Sequence, residues 1–214
     1  MKRFFLLLIS MVIVGYASLA QTQVVYEDDL EAYNVGDYMA VENPTWWETW
    51  SNLPGSAEDA LITDAQANSG SNSFEVVGST DLILKLGDKT TGLWEVNWMM
   101  YVPAGLAGYY NFQHYQAPGV EWAFEVYFNA DGTALLTADG VDVNFTYTQD
   151  SWITVEHIID LDSDWAETYI EGTLIHEWQW STVAAGGAGA NQLGGVDFFA
   201  GAQGSDVPDY FVDD

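Results

Sequence analysis

The chain has 214 residues, 32 of them aspartate or glutamate against four lysines and arginines, with net charge −28, no cysteine and 15% aromatic residues. Phosphate recognition needs clustered cations, so nucleic acid is excluded as a partner, and anionic membranes and polyanionic glycans are disfavoured. The aromatic content excludes a disordered chain, and disulfides contribute nothing to stability.

Residues 1–20 read as a signal peptide. Lys2 and Arg3 precede an apolar run from Phe4 to Val14, and Ser18-Leu19-Ala20 supplies the small residues of a cleavage site after Ala20. The run is too short to span a bilayer, so no membrane insertion is expected after cleavage. No cysteine follows it, which argues against a lipoprotein. The product is expected to be secreted or held at the cell surface, and an exported chain without disulfides points to a bacterial source. Residues 21–214 are expected to form one domain whose only basic residues are Lys85 and Lys89. The pattern ends in mid-strand at Asp214, which suggests truncation from a longer chain.

No helical period is sustained beyond Gln21. Strands are predicted at 24–29, 46–50, 60–64, 73–77, 81–86, 93–102, 108–116, 122–129, 133–138, 142–148, 152–160, 167–171, 174–180, 196–202 and 209–213. Turn signals separate them, the clearest being Ala130-Asp131-Gly132-Thr133. Many short strands with no crossover helix predict antiparallel sheets packed face to face. The run 184–190, made of alanine and glycine, is expected to be a mobile surface loop or a flap over a groove.

The alternation between Leu93 and Asn129 is the most informative feature. Trp94, Trp98, Phe112, Trp122 and Phe124 fall on one set of faces and predict the core. Glu95, Asn97, Tyr101, Asn111, Gln113, Glu125 and Tyr127 fall on the other, with Glu156 a further candidate, and are predicted to share one surface. Amides and acids bond sugar hydroxyls and tyrosines stack on sugar rings, so these residues are the candidate ligand-binding set. Of the adjacent Trp46 and Trp47, one must face outwards, to meet a sugar or a protein. His114, His157 and His176 each follow apolar neighbours and read as packed side chains. No nucleophile elbow or phosphate loop is present.

Several segments together carry a family likeness: YEDDLEAYNVGDY, GLWEVNWMMYVPAG, YYNFQHYQAPGVEWAFEVYF, DSWITVEHIIDLDSDWAETYIEG, NQLGGVDFFAGAQG and PDYFVDD. They resemble the concanavalin A-like lectin/glucanase jelly roll, in the version at the front of secreted Bacteroidota proteins exported by type IX secretion. The resemblance implies an all-β, antiparallel two-sheet jelly-roll sandwich and leaves function open among lectins, adhesins, glucanases and lyases. It implies a structural Ca²⁺ where the first and last strands meet, with Glu27, Asp29 (or Glu31) and Asp213 (or Asp214) as ligands; the alternative is a solvated acidic edge. The same acids, as Glu-x-Asp-x-Glu, echo the catalytic run of laminarinase-like glucanases, but Asp28 stands where an apolar residue belongs. Asp160 to Asp164 imitates an EF-hand loop with Trp165 in place of the required glycine, and reads as a turn. Alginate lyases of the fold use arginine, absent beyond Arg3. The leading expectation is a non-catalytic, lectin-like module that binds neutral glycan or another cell-surface ligand on its concave sheet. The alternatives are a glycoside hydrolase using paired carboxylates such as Glu95 and Glu125 on adjacent strands, or a structural spacer or adhesin module.

Overall fold

A computed structural model describes residues 23–214; the predicted signal peptide lies outside the described residues. The strands are β1 (Trp47–Thr49), β2 (Leu61–Thr63), β3 (Ser73–Val77), β4 (Asp81–Lys89), β5 (Leu93–Tyr101), β6 (Gly108–Gln113) and β7 (Trp122–Phe128). They continue with β8 (Thr133–Ala138), β9 (Val141–Thr146), β10 (Trp152–Asp160), β11 (Trp165–Ile170), β12 (Thr173–Gln179), β13 (Leu193–Phe199) and β14 (Asp209–Asp213). One helical turn, α1 (Met39–Glu42), precedes them. Two seven-stranded sheets result, ordered β1-β4-β13-β6-β7-β8-β9 and β12-β11-β10-β5-β14-β3-β2. Every strand pair is antiparallel, and the fold is the jelly-roll sandwich.

Trp98 of β5 sits at the centre of the core. Its ring meets Tyr110 at 4.8 Å, Phe198 at 5.2 Å and His157 at 5.4 Å, so strands of both sheets converge on it. Phe112 and Phe124 stack at 4.8 Å and are fully buried, in line with the alternation.

Four expectations change. The segment 24–29 is not a strand, because Asp28 draws the chain into a local knot: Tyr26 and Tyr33 hydroxyls donate to its Oδ2 at 2.9 and 2.6 Å. Trp122 is 38% exposed rather than core. The β6–β7 register steps from Phe112↔Phe124 to Gln113↔Trp122 and skips Ala123, and such a bulge reverses the facing of what precedes it. The 184–190 run is not a loose loop but a strap. Ala184 N–H donates to Trp122 O at 2.9 Å, Gly140 N–H to Ala184 O at 3.0 Å, and Ala190 N–H to Glu121 Oε1 at 2.7 Å. Gly186 is a packing requirement, since a Cβ on it, at φ +88°, would lie 3.2 Å from Gly140 Cα.

The fourth change matters most for function. β5 pairs with β10 and β14, whereas β6 and β7 belong to the other sheet. The link 102–107 crosses between sheets instead of closing a hairpin, and Asp150 Oδ1 fixes it by accepting from Ala104 N–H at 2.9 Å. Period-two alternation tells which side of a strand a residue takes, not which sheet the strand joins.

Candidate ligand-binding face

Register builds the outer face of the β6-containing sheet row by row. Across it run Glu48, Ile83, Asp197, Asn111, Glu125 and Thr137, each opposite the next. A second row holds Asp81 opposite Phe199, and Tyr109 opposite Tyr127. The Tyr109 and Tyr127 rings lie 4.6 Å apart, and the Tyr109 hydroxyl donates to Glu125 Oε2 at 3.0 Å. Burial raises the Tyr109 hydroxyl far above its ordinary value, with the Glu125 charge adding to it, so it stays a donor.

The middle of this face is roofed. Asn111, Gln113 and Asp197 are at most 3% exposed although they point away from the core. The β6–β7 loop passes over β13 at Gly194, where an added Cβ would stand 2.1 Å from Tyr115 carbonyl carbon. Gln116 N–H then donates to Asp88 Oδ1 at 2.6 Å, and Gly119 N–H to Gln113 Oε1 at 2.8 Å. Over Gly119 the Trp50 and Trp122 rings stack at 6.1 Å. β1 and β6 are three strands apart, about 14 Å, so Trp50 and this loop close over the strands between. The open part is the flank: Glu125, Tyr127 and Thr137 are half-buried, and Phe199 is 39% exposed.

The predicted ligand set therefore divides in three. Glu125 and Tyr127 lie on the open flank, while Asn111 and Gln113 lie under the roof. Glu95, Asn97 and Tyr101 are on the opposite outer surface of the sandwich, with Glu156 beside Asn97. There Asn97 Nδ2 donates to Glu95 Oε1 at 2.9 Å, and Tyr101 packs against Trp152 at 5.6 Å. A carboxylate pair of Glu95 and Glu125 does not exist, because they belong to different sheets. The alternation missed Trp50, Phe199, Asp81 and Asp197. The outward tryptophan of the 46–47 pair is Trp46, half-covered by Tyr26 at 4.5 Å, while Trp47 is buried.

The roof is anchored by His114, which is fully buried. Its Nδ1 lies 2.8 Å from Glu121 Oε1 and its Nε2 3.1 Å from Trp180 O. Burial lowers the imidazole's affinity for a proton, while the Trp180 carbonyl and Glu121 carboxylate oppose that. Both nitrogens face acceptors, so one contact is satisfied by a neutral ring and both only by an imidazolium. His157 donates or accepts at Thr168 Oγ1, 2.9 Å away, and burial lowers it to about 3. His176 stacks on Trp178 at 5.4 Å.

The acids expected at the chain ends either face solvent or accept hydrogen bonds from backbone amides. Glu27 and Asp29 are exposed, and Asp29 Oδ1 accepts from Glu31 N–H at 3.2 Å. Asp213 is buried, and its Oδ2 accepts from Asn68 N–H at 2.7 Å and Ser69 N–H at 3.2 Å. Glu31 Oε1 accepts from Ser71 and Asn72 N–H at 2.7 and 2.8 Å. The two ends do converge on one loop, but their carboxylates hold its backbone amides. Among the described residues no three His, Cys, Asp or Glu side chains are placed to share a metal ion. The Asp160–Asp164 stretch is the strand-to-strand turn its sequence predicts, with Asp160 Oδ1 accepting from Asp162 N–H at 3.0 Å.

At the sequence level, neither a known protein family nor a curated protein matches the chain. Solved structures share its fold. A sialidase superposes with TM-score 0.57 and 11% identity over 88% of this chain, which corresponds to only 18% of the sialidase chain. Alginate lyase Aly36B, as a mutant in complex with alginate trisaccharide, superposes with TM-score 0.51 and 12% identity over 87% of this chain and 94% of the lyase. Identities this low establish a shared jelly-roll architecture.

Proposed function

We propose that this chain is an exported, non-catalytic jelly-roll module that binds a neutral glycan on the open flank of the β6-containing sheet. The observation that carries the reading is the Glu125–Tyr109–Tyr127 group beside exposed Phe199, where a carboxylate fixed by a tyrosine hydroxyl adjoins aromatic faces. Sugar hydroxyls need such an acceptor, and the apolar C–H face of a pyranose needs such rings. Shared architecture with a sialidase and an alginate lyase is consistent with a carbohydrate ligand. The scarcity of basic residues favours neutral over anionic sugars. Export by residues 1–20 to the cell surface or medium, in the manner of type IX secretion in Bacteroidota, belongs to the same proposal. Hydrolysis through a pair such as Glu95 and Glu125 is disfavoured because these two carboxylates lie on different sheets and face opposite ways.

The test is a glycan array on the purified protein beside reducing-sugar assays on the glycans it retains. Binding without turnover is the expected result. Turnover would replace the reading with a glycosidase, and silence in both assays with a structural module.

A further inference from the structure

The roof over the middle of the face hides polar atoms that no other group of the protein satisfies. Asn111 Oδ1, Gln113 Nε2 and Asp197 Oδ1 are buried and have no hydrogen-bond partner. They share one face, with Asp197 directly opposite Asn111 and Gln113 two residues further along β6. Their side chains point away from Phe112, Phe124 and Val196, so they form a polar floor outside the core. Buried polar atoms are nearly always paired, and an unpaired one opposes the state that buries it. The closed roof is therefore opposed by its own floor.

The roof is lightly held. No residue from 115 to 121 belongs to the hydrophobic core, and Tyr115, Ala117 and Val120 are exposed. The loop is held down by the Gln116 N–H bond to Asp88, the Gly119 N–H bond to Gln113 Oε1 and its passage over Gly194. Trp50, the other half of the roof, is a half-buried side chain resting on Gly119. The base of the loop is fixed, because His114 N–H donates to Glu121 O at 3.1 Å and the Glu121 carboxylate ties it to the strap at Ala190. Segments with few buried apolar contacts open locally at low cost. We infer that residues 115–120 form a lid that lifts, with the Trp50 ring, to open Asn111, Gln113 and Asp197 to a ligand. The floor continues the open flank, since Asn111 is directly opposite Glu125. Its oxygens accept and the Gln113 amide donates, and a hydroxyl answers both, so the floor suits a neutral sugar. The lifted Trp50 ring would stack on it. The sugar rests on the flank reading, whereas the opening of the lid does not.

The experiment is amide hydrogen exchange on the parent and on Asp88→Ala, which removes the acceptor for Gln116. The readout is the Gly119 amide, which is bonded to Gln113 and not to Asp88. It should exchange by local opening, with little dependence on low urea. In Asp88→Ala it should exchange about tenfold or more faster while the β7 amides stay unchanged. Exchange at Gly119 that follows the β7 amides in urea, or is unaltered by Asp88→Ala, would overturn the lid. A second arm adds laminari- and cello-oligosaccharides as neutral probes. A bound probe should speed exchange at Gly119, and Asn111→Ala should weaken its binding about tenfold. If that variant fails to fold, Trp50→Ala, which leaves the floor untouched, should still speed Gly119 exchange. Binding that leaves Gly119 exchange unchanged would confine the sugar to the flank and overturn the floor site. Absence of binding would count against the flank reading and not against the lid, which is decided without a sugar.

Discussion

At Trp98 the sequence and the structure agree for a simple reason: strict alternation through β5 leaves no second way to bury the ring. It is 5% exposed and touches aromatic residues from both sheets, so Trp98→Ala should cost about 3–5 kcal/mol by chemical denaturation. A loss near the level of a surface substitution would show that the core is not organised around it. Trp122 was not legible in the same way, because the bulge at Ala123 depends on pairing with β6 rather than on its own strand. Asp213 belongs to this scale as well. Its carboxylate caps the Asn68 and Ser69 amides, so Asp213→Ala should lower the melting temperature by the same amount in Ca²⁺ and in EDTA. A loss seen in Ca²⁺ alone would return it to the metal ligands expected from sequence.

Among the elements, periodicity located β3, β8, β10 and β14 within a residue because each alternates or is bounded by turn residues. It did not assign β5 to its sheet, since that depends on the crossing at 102–107 and on pairing with the distant β10 and β14. The binding face inherits this error: four of its seven expected residues lie on one sheet and three on the other. The roof was equally hidden. It requires Gly194 to let the β6–β7 loop cross β13, a contact between residues far apart in sequence. Gly194→Ala should therefore destabilise the protein by about 1–3 kcal/mol, read by thermal or denaturant unfolding. An unchanged unfolding curve would mean that the loop does not lie on β13.

For the whole molecule, the acidity seen in composition has a structural counterpart in carboxyl groups drawn close together. Burial raises Glu75, with the Asp209 charge adding to it, and burial raises Asp209. Groups raised in the folded state bind more protons there than when unfolded, so stability falls as pH rises through their folded values. These carboxyls should thus gain stability on acidification until unfolded carboxylates also protonate, near about pH 4. Asp131 and Asp160, lowered by hydrogen bonds from Thr133 and Ser163, lose their contribution only below that point. His157, His114 and His176, lowered by burial, oppose the raised carboxyls below about pH 6.5, where the unfolded imidazoles protonate. On going from about pH 8 to about pH 5 the parent should gain melting temperature relative to Glu75→Gln, which lacks the titrating carboxyl but keeps the histidines. The same pH dependence in the parent and in Glu75→Gln would refute the assignment.

The central claim is that ligand binding resides on the Glu125–Tyr127 flank and not on the β5 surface that alternation had joined to it. Glycan binding by the parent protein should be compared with that of Glu125→Gln and Tyr127→Ala on one side and Glu95→Gln and Asn97→Ala on the other. The proposal predicts loss of binding in the first pair, with folding retained, and undiminished binding in the second. Loss confined to Glu95→Gln and Asn97→Ala would contradict it and move the site to the opposite sheet.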